Sequence, residues 1–95
     1  MNTTLEDLVA ALESAGFVCY GSDYQRPFPG RTFCEIVSVS LSPKRKHFFG
    51  VGVKLIIDGS LQTFRFEHKR NSPDCYEKMA KVALMSADDF IRIYG

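Results

Sequence analysis

The sequence has no tryptophan and only three cysteines in 95 residues, and the cysteines form no recognisable motif. Cys19, Cys34 and Cys75 are odd in number and widely separated, with no C-x-x-C pair among them. This pattern argues against a disulfide framework and against a zinc knuckle. Reduced thiols, as in a cytoplasmic protein, are therefore the expected state.

Targeting and membrane-spanning segments are missing as well. The N-terminus has no basic stretch followed by an apolar one, as a signal peptide would have. The longest apolar run, at 48–57, is short and contains Lys54, whereas a transmembrane helix needs about 20 apolar residues. We expect a cytoplasmic protein with no membrane contact.

The sequence also lacks the residue spacings that hold metals, phosphates or catalytic groups. The two histidines and three cysteines show no metal-ligand spacing. Gly50 and Gly52 lie within a predicted strand and open no helix, so they do not form a phosphate loop. Cys75 lies near a predicted helix start, but nothing supplies a base and a group to orient it. We expect no enzymatic activity, no metal and no cofactor.

What the chain does have is enough apolar material for one core. Hydrophobic residues make up 45% of it and charged residues 24%, an ordinary balance for a folded protein. Its length fits a single domain over residues 1–95. The net charge of +1 conceals a polarised distribution: residues 1–25 contain no lysine or arginine, and residues 44–70 contain seven cations and two acids.

Two amphipathic segments at the ends of the chain predict helices. The first runs from about Thr4 to Ala15, with Thr3 and Glu6 in the spacing of a capping box and Gly16 as its stop. The second follows 72–74, where Ser-Pro-Asp is typical of a helix start, and its apolar spacing continues to Tyr94. A second cap at 86–89 leaves open a break near Met85.

The central part of the chain predicts strands. Alternating apolar residues indicate strands at 17–20, 32–41 and 47–57, separated by a loop at 21–31 and a turn at 42–46. A further strand follows Asp58 and Gly59, because an Asp-Gly pair between two strand-like runs favours a two-residue hairpin. This hairpin register opposes Ile57 with Ser60, Val53 with Phe64, Val51 with Phe66 and Phe49 with His68.

The hairpin register divides the side chains between two faces. Val51, Val53, Phe64 and Phe66 fall on one face and should be buried against the helices. The residues expected on the opposite, solvated face are Gly50, Gly52, Lys54, Thr63, Arg65, Glu67 and Cys34. We therefore predict an α+β fold of order α-β-β-β(-β)-α, an antiparallel meander with both helices on one face.

Two groups of residues are candidates for binding. The hairpin register brings two cation runs to one end of the sheet, and this basic rim comprises Lys44, Arg45, Lys46, His47, His68, Lys69 and Arg70. An anionic partner could bind there, although a solvated turn would look the same. The second group combines aromatic and arginine residues in the predicted loop, an interface composition, and comprises Tyr24, Arg26, Phe28 and Arg31. The other interpretation of this loop is that Phe28 covers an edge of the core.

Elimination leaves two classes of function. We favour a non-enzymatic binding protein that acts through a protein partner with an acidic or nucleic-acid-binding surface. Small inhibitors of host nucleic-acid-processing or defence complexes, encoded by phages or mobile elements, are of this kind. The alternative is a nucleic-acid-binding domain that uses the basic rim. The predicted order resembles that of the double-stranded-RNA-binding domain, whose second helix grips phosphates with lysines, and Lys78 and Lys81 lie in that helix here. A homodimer is left open.

Overall fold

The computed structural model describes residues 3–45, 48–69 and 71–95, and only the backbone at 42–45 and 48. Within these ranges, three helices and five strands follow one another. In order they are α1 (Leu5–Ser14), β1 (Val18–Tyr20), β2 (Asp23–Pro27), β3 (Ile36–Arg45), β4 (Phe48–Ile57), β5 (Ser60–Lys69), α2 (Cys75–Ala83) and α3 (Ala87–Tyr94).

The five strands form one antiparallel sheet in which each strand pairs with its neighbour in sequence. Helix α2 packs on β3, β4 and β5, and α1 packs on α2. Phe90 of α3 contacts the rings of Phe64 and Phe66 in β5. The predicted α+β meander with its helices on one face is therefore confirmed. The structure has five strands where three or four were predicted, and three helices where two were predicted.

The hairpin between β4 and β5 is the one that the Asp-Gly pair predicts. Asp58 and Gly59 have φ angles of 52° and 80°, and a type I′ turn needs positive φ at both positions. All four predicted cross-strand pairs are present: Ile57 with Ser60, Val53 with Phe64, Val51 with Phe66 and Phe49 with His68.

The core lies between the inner face of the sheet and the helices. Valine side chains that alternate along β3 and β4 are fully buried, and they meet Leu8 and Leu12 of α1, Met79 of α2 and Phe90 of α3. Phe64 and Phe66 are half-buried, because β5 is an edge strand and one side of each ring has no neighbouring strand. The prediction that they face the helices is confirmed, but their burial is only partial.

The sequence interpretation misses β2 and is wrong at both ends of β3. Residues 23–27, predicted as loop, form β2, which pairs with β3 over its whole length. β3 begins at Ile36 rather than at residue 32, so Phe33 is 91% exposed and Cys34 lies in a turn. The strand also continues to Arg45 through a register irregularity, where a turn was predicted. Pairing with a neighbouring strand makes residues 23–27 and 42–45 extended despite their weak local preference. Residues 32–35 pair with neither β2 nor β4 and therefore form no strand.

Helix boundaries are close to those predicted. The cap of α1 is Thr4 rather than Thr3: its Oγ1 accepts from the Asp7 N–H, and the Asp7 carboxylate accepts from the Thr4 N–H. The break near Met85 is present, because Ser86 caps a separate helix by accepting from the Asp89 N–H at 3.2 Å. None of the helices in the described ranges is both long and apolar enough to cross a membrane.

Candidate functional site

The basic rim is only partly within the described structure. Strand pairing places the backbones of Arg45, Phe48 and Lys69 side by side, so the two cation runs do approach the same end of the sheet. Residues Lys46, His47 and Arg70 lie outside the described residues, and the side chains of Lys44 and Arg45 are not described. Whether the rim binds a partner stays a prediction.

His68 lies on the inner face of β5, unlike its neighbour Lys69. It opposes Phe49 and is half-buried. Burial, and then the positive charge of Lys78, lower the pKa of His68, while Asp74 acts in the opposite direction. A neutral, inward-facing imidazole contributes little to an anion-binding surface.

The predicted binding loop is largely occupied with structural contacts. Tyr24 and Arg26 belong to β2, and Phe28 is buried in the core at 2% exposure. The Arg26 guanidinium donates to the Ala15 carbonyl at 2.9 Å and lies 4.8 Å from the centroid of the Phe17 ring. For Phe28 the structure therefore favours the interpretation that it covers the core.

Arg31 stabilises the connection between β2 and β3 through a buried carboxylate. Glu35 is 2% exposed and accepts hydrogen bonds from Arg31, from the Thr32 hydroxyl and amide, and from the Ile56 amide. Burial alone would raise the pKa of Glu35, but these hydrogen bonds outweigh it and lower the pKa to about 2. Glu35 was not singled out from the sequence, although it stands as a lone acid between Phe33 and Val37 on the predicted apolar face.

The outer face of the sheet, opposite the helices, contains a shallow trough with a volume of about 510 Å³. Its floor consists of the small residues Ser38 and Ser40 of β3 and Gly50 and Gly52 of β4. Because these side chains are short or absent, the backbone of two adjacent strands is open to an approaching molecule. We call this feature the outer trough.

Charged and polar side chains from β2 and β5 form the walls of the outer trough. Asp23 and Gln25 stand on one side and Arg65 and Glu67 on the other, with Lys54 beside them in β4. Strand spacing puts the two walls roughly 14 Å apart. Lys54 and Arg65 are the cations of this surface and Asp23 and Glu67 its acids, so the charges of the trough sum to zero.

Sequence reasoning found half of this face and missed the rest. Lys54, Arg65 and the two glycines were placed correctly by the hairpin register. Cys34, expected beside them, lies instead in the turn before β3. Val18 and Tyr20 of β1 were missed; they are 53% and 62% exposed and pair with Gln25 and Asp23 at the trough wall. Their contribution depends on β2, which was predicted as loop.

The remaining candidate for chemistry is Cys75, and its surroundings do not activate it. Cys75 is 1% exposed, and its thiol donates to the Met79 sulfur at 3.8 Å. Burial, and then the charge of Asp74, raise its pKa, whereas a nucleophilic cysteine needs a lowered one. Across the described ranges, no three histidine, cysteine or acidic residues are grouped so as to hold a metal ion.

Comparison with known proteins identifies no relative. No protein-family model, curated protein or solved structure is significantly similar to this chain. Functional inference therefore depends on the geometry of the outer trough and of the sheet edges.

Proposed function

We propose that the chain is a small non-enzymatic binding protein whose outer trough receives a segment of a protein partner. The observation that carries this proposal is the trough itself, with its floor of glycine and serine and walls of both charge signs. An extended or slender segment could approach the exposed backbone while its own charges pair with the walls. Exposed Tyr20 adds a side chain that is typical of protein interfaces.

The charge balance favours a protein over a nucleic acid as the partner. Binding to nucleic acid draws much of its affinity from cations that displace counterions from phosphates. Asp23 and Glu67 in the trough offset Lys54 and Arg65, so this face offers no net positive field. The five-strand, three-helix order also differs from the α-β-β-β-α order of the double-stranded-RNA-binding domain.

A binder of this size acts by covering or bridging a surface of its partner. Inhibition of a host nucleic-acid-processing or defence complex by a phage- or mobile-element-type protein is the form of this function that we favour. The support for it is the same elimination of catalytic and cofactor motifs made from the sequence.

Filling the trough tests the proposal. A Cβ atom at Gly52 would have the Ser38 carbonyl oxygen, at 3.9 Å, as its nearest neighbour, so Gly52→Thr should fold normally and occupy the floor. The matched control is Lys81→Thr, an exposed position on α2 in the opposite layer. Cross-linked partners from the source cell should be retained by the parent and by Lys81→Thr and lost from Gly52→Thr.

Two results would contradict the proposal. One is equal capture of the partner by Gly52→Thr and by the parent. The other is binding to generic DNA or RNA that weakens steeply between about 50 and about 200 mM salt, which would indicate a nucleic-acid-binding protein.

A further inference from the structure

Strand β5 forms a long free edge of the sheet. Ser60–Lys69 has ten residues and, among the described residues, pairs only with β4, whereas the opposite edge strand, β1, has three. An edge strand presents unpaired N–H and C=O groups to which another strand can add. An edge of ten residues is long enough to hold a complete partner strand.

Ile56 shows which backbone groups face this edge. Its N–H donates to Glu35 at 3.1 Å and its C=O accepts from Arg31 at 3.0 Å, so both groups point away from β5. Ile56 lies directly opposite Leu61. Two directly opposed residues in an antiparallel pair either hydrogen-bond to each other through both N–H and C=O groups, or direct all of these groups away from each other. The N–H and C=O of Leu61 therefore point to the free edge.

The direction of the backbone N–H and C=O groups alternates from residue to residue along β5. The backbone groups of Thr63, Arg65 and Glu67 point to the free edge, as those of Leu61 do. In the described part of the chain, no backbone or side-chain hydrogen bond reaches these outward groups. They are available for a strand that pairs antiparallel with β5.

The charges on β5 are complementary to a second copy of the same strand. Arg65 and Glu67 are exposed, and neither forms an ion pair with a described residue. If two copies pair antiparallel with Phe66 opposite Phe66, each Arg65 lies opposite the Glu67 of the other copy. Sliding one strand by two residues instead places Arg65 opposite Arg65 or Glu67 opposite Glu67. Opposite charges in directly opposed positions stabilise a sheet and like charges destabilise it.

The inner face at this edge also fits a second copy. Phe66 is half-buried, and its ring lies 6.0 Å from the Phe90 ring and 5.2 Å from the Tyr94 ring. Tyr94 is 41% exposed. A two-fold axis through the paired Phe66 residues, perpendicular to the sheet, keeps the helices of both copies on the same side. These aromatic rings would then cover one another.

We propose that the chain forms a two-fold homodimer in which β5 pairs antiparallel with β5 of a second copy, with Arg65 opposite Glu67 and Phe66 opposite Phe66. The result is one continuous sheet of ten strands, with the outer troughs of both copies on the same face. This proposal does not rest on the proposed function, because it is argued from the edge of β5, although Arg65 and Glu67 also line the outer trough.

Sedimentation equilibrium of the full chain, from about 1 to about 200 µM, tests the dimer. The parent should dimerise. Arg65→Glu and Glu67→Arg, each alone, should raise the dissociation constant about tenfold or more, because each replaces two attractive pairs with two repulsive ones. The double variant Arg65→Glu, Glu67→Arg restores complementarity and should dimerise like the parent. The control Glu13→Lys reverses an exposed charge on α1, on the side of β2 rather than of β5, and should leave the dissociation constant of the dimer unchanged.

Mixing the two single variants gives the sharpest result. Arg65→Glu presents two acids and Glu67→Arg presents two cations, so an equimolar mixture should form a heterodimer although each variant alone is largely monomeric. Circular dichroism of each variant verifies folding, which these exposed substitutions should leave intact. A parent that is monomeric throughout the range, single variants that dimerise as well as the parent, or β5 paired with a segment of another protein would each overturn the proposal.

Discussion

Arg31 and Glu35 form an ion pair in which Arg31 Nη2 lies 2.7 Å from Glu35 Oε2, with the carboxylate almost fully buried. The pair also supplies the hydrogen bonds that a neighbouring strand would otherwise make to the backbone of Ile56. Because β3 begins at Ile36, the backbone of Ile56 has no strand partner on the side away from β5. Glu35 therefore accepts from its N–H, and Arg31 donates to its C=O. The connection between β2 and β3 is thereby fixed to the end of β4.

This arrangement predicts an acid-dependent loss of stability. The pKa of Glu35 is lowered from 4.5 to about 2, so its contribution is complete above pH 4.5 and is lost as the pH falls toward 2. Glu35→Gln should lower the urea midpoint at neutral pH and make the decline in stability between pH 4.5 and about 2 shallower. Glu13→Gln, at an exposed position of α1, is the control. Parallel pH profiles for Glu35→Gln and the parent would contradict the prediction.

The hairpin turn predicts a loss of stability that comes from backbone conformation alone. Gly59 has a φ of 80°, and nothing lies within 4 Å of a Cβ atom built there. Gly59→Ala should therefore destabilise the protein by about 1–2 kcal/mol through the left-handed conformation, measured by urea unfolding. Asp58→Asn should be tolerated, since asparagine accepts positive φ. A Gly59→Ala variant as stable as the parent would be inconsistent with a type I′ turn.

How much the sequence predicts depends on whether the signal is local. The Asp-Gly turn determines the β4–β5 register by itself, because two adjacent residues set the turn type. β2 has no such signal: Asp23–Pro27 contains no β-branched residue, and the strand forms because β3 lies beside it. The wall of the outer trough that Asp23 and Gln25 form therefore could not be predicted, whereas its β4 and β5 portion follows from the hairpin register.

The sequence and the structure assign different residues to the N-terminal cap of α1, and the two assignments predict different effects of mutation. The sequence favours Thr3 with Glu6, whereas in the structure Thr4 and Asp7 exchange hydrogen bonds of 3.0 and 3.1 Å. Thr4→Ala should therefore destabilise the protein by about 1 kcal/mol, and Thr3→Ala should have little effect. Thermal or urea unfolding of the two variants measures the difference. A larger loss for Thr3→Ala would restore the sequence assignment.

Phe90 should be among the most sensitive positions in the core. It is fully buried, and its ring lies 4.9 Å from the Phe64 ring and 4.7 Å from the Tyr94 ring. Phe90→Ala should destabilise the protein by about 3–5 kcal/mol, as truncation of buried aromatic residues does. Phe64→Ala should cost less, because Phe64 is only half-buried at the sheet edge. Equal losses in urea titrations would show that Phe64 is more deeply packed than the structure indicates.

The basic rim and the outer trough predict different kinetics for a partner. If the rim attracts an anionic partner, the variant Lys44→Glu, Lys46→Glu, Lys69→Glu should slow association at low salt and leave dissociation nearly unchanged, because rim charges act mainly on encounter. Gly52→Thr should instead speed dissociation, because it removes the space in which the partner packs.

Surface plasmon resonance with the partner captured by the parent separates the two effects when it is run at low and high salt. We expect the rim variant to slow association by about tenfold at low salt and by much less at high salt, where screening removes the attraction. Circular dichroism should be unchanged. Association as fast as that of the parent at low salt would mean that the rim is only a solvated edge.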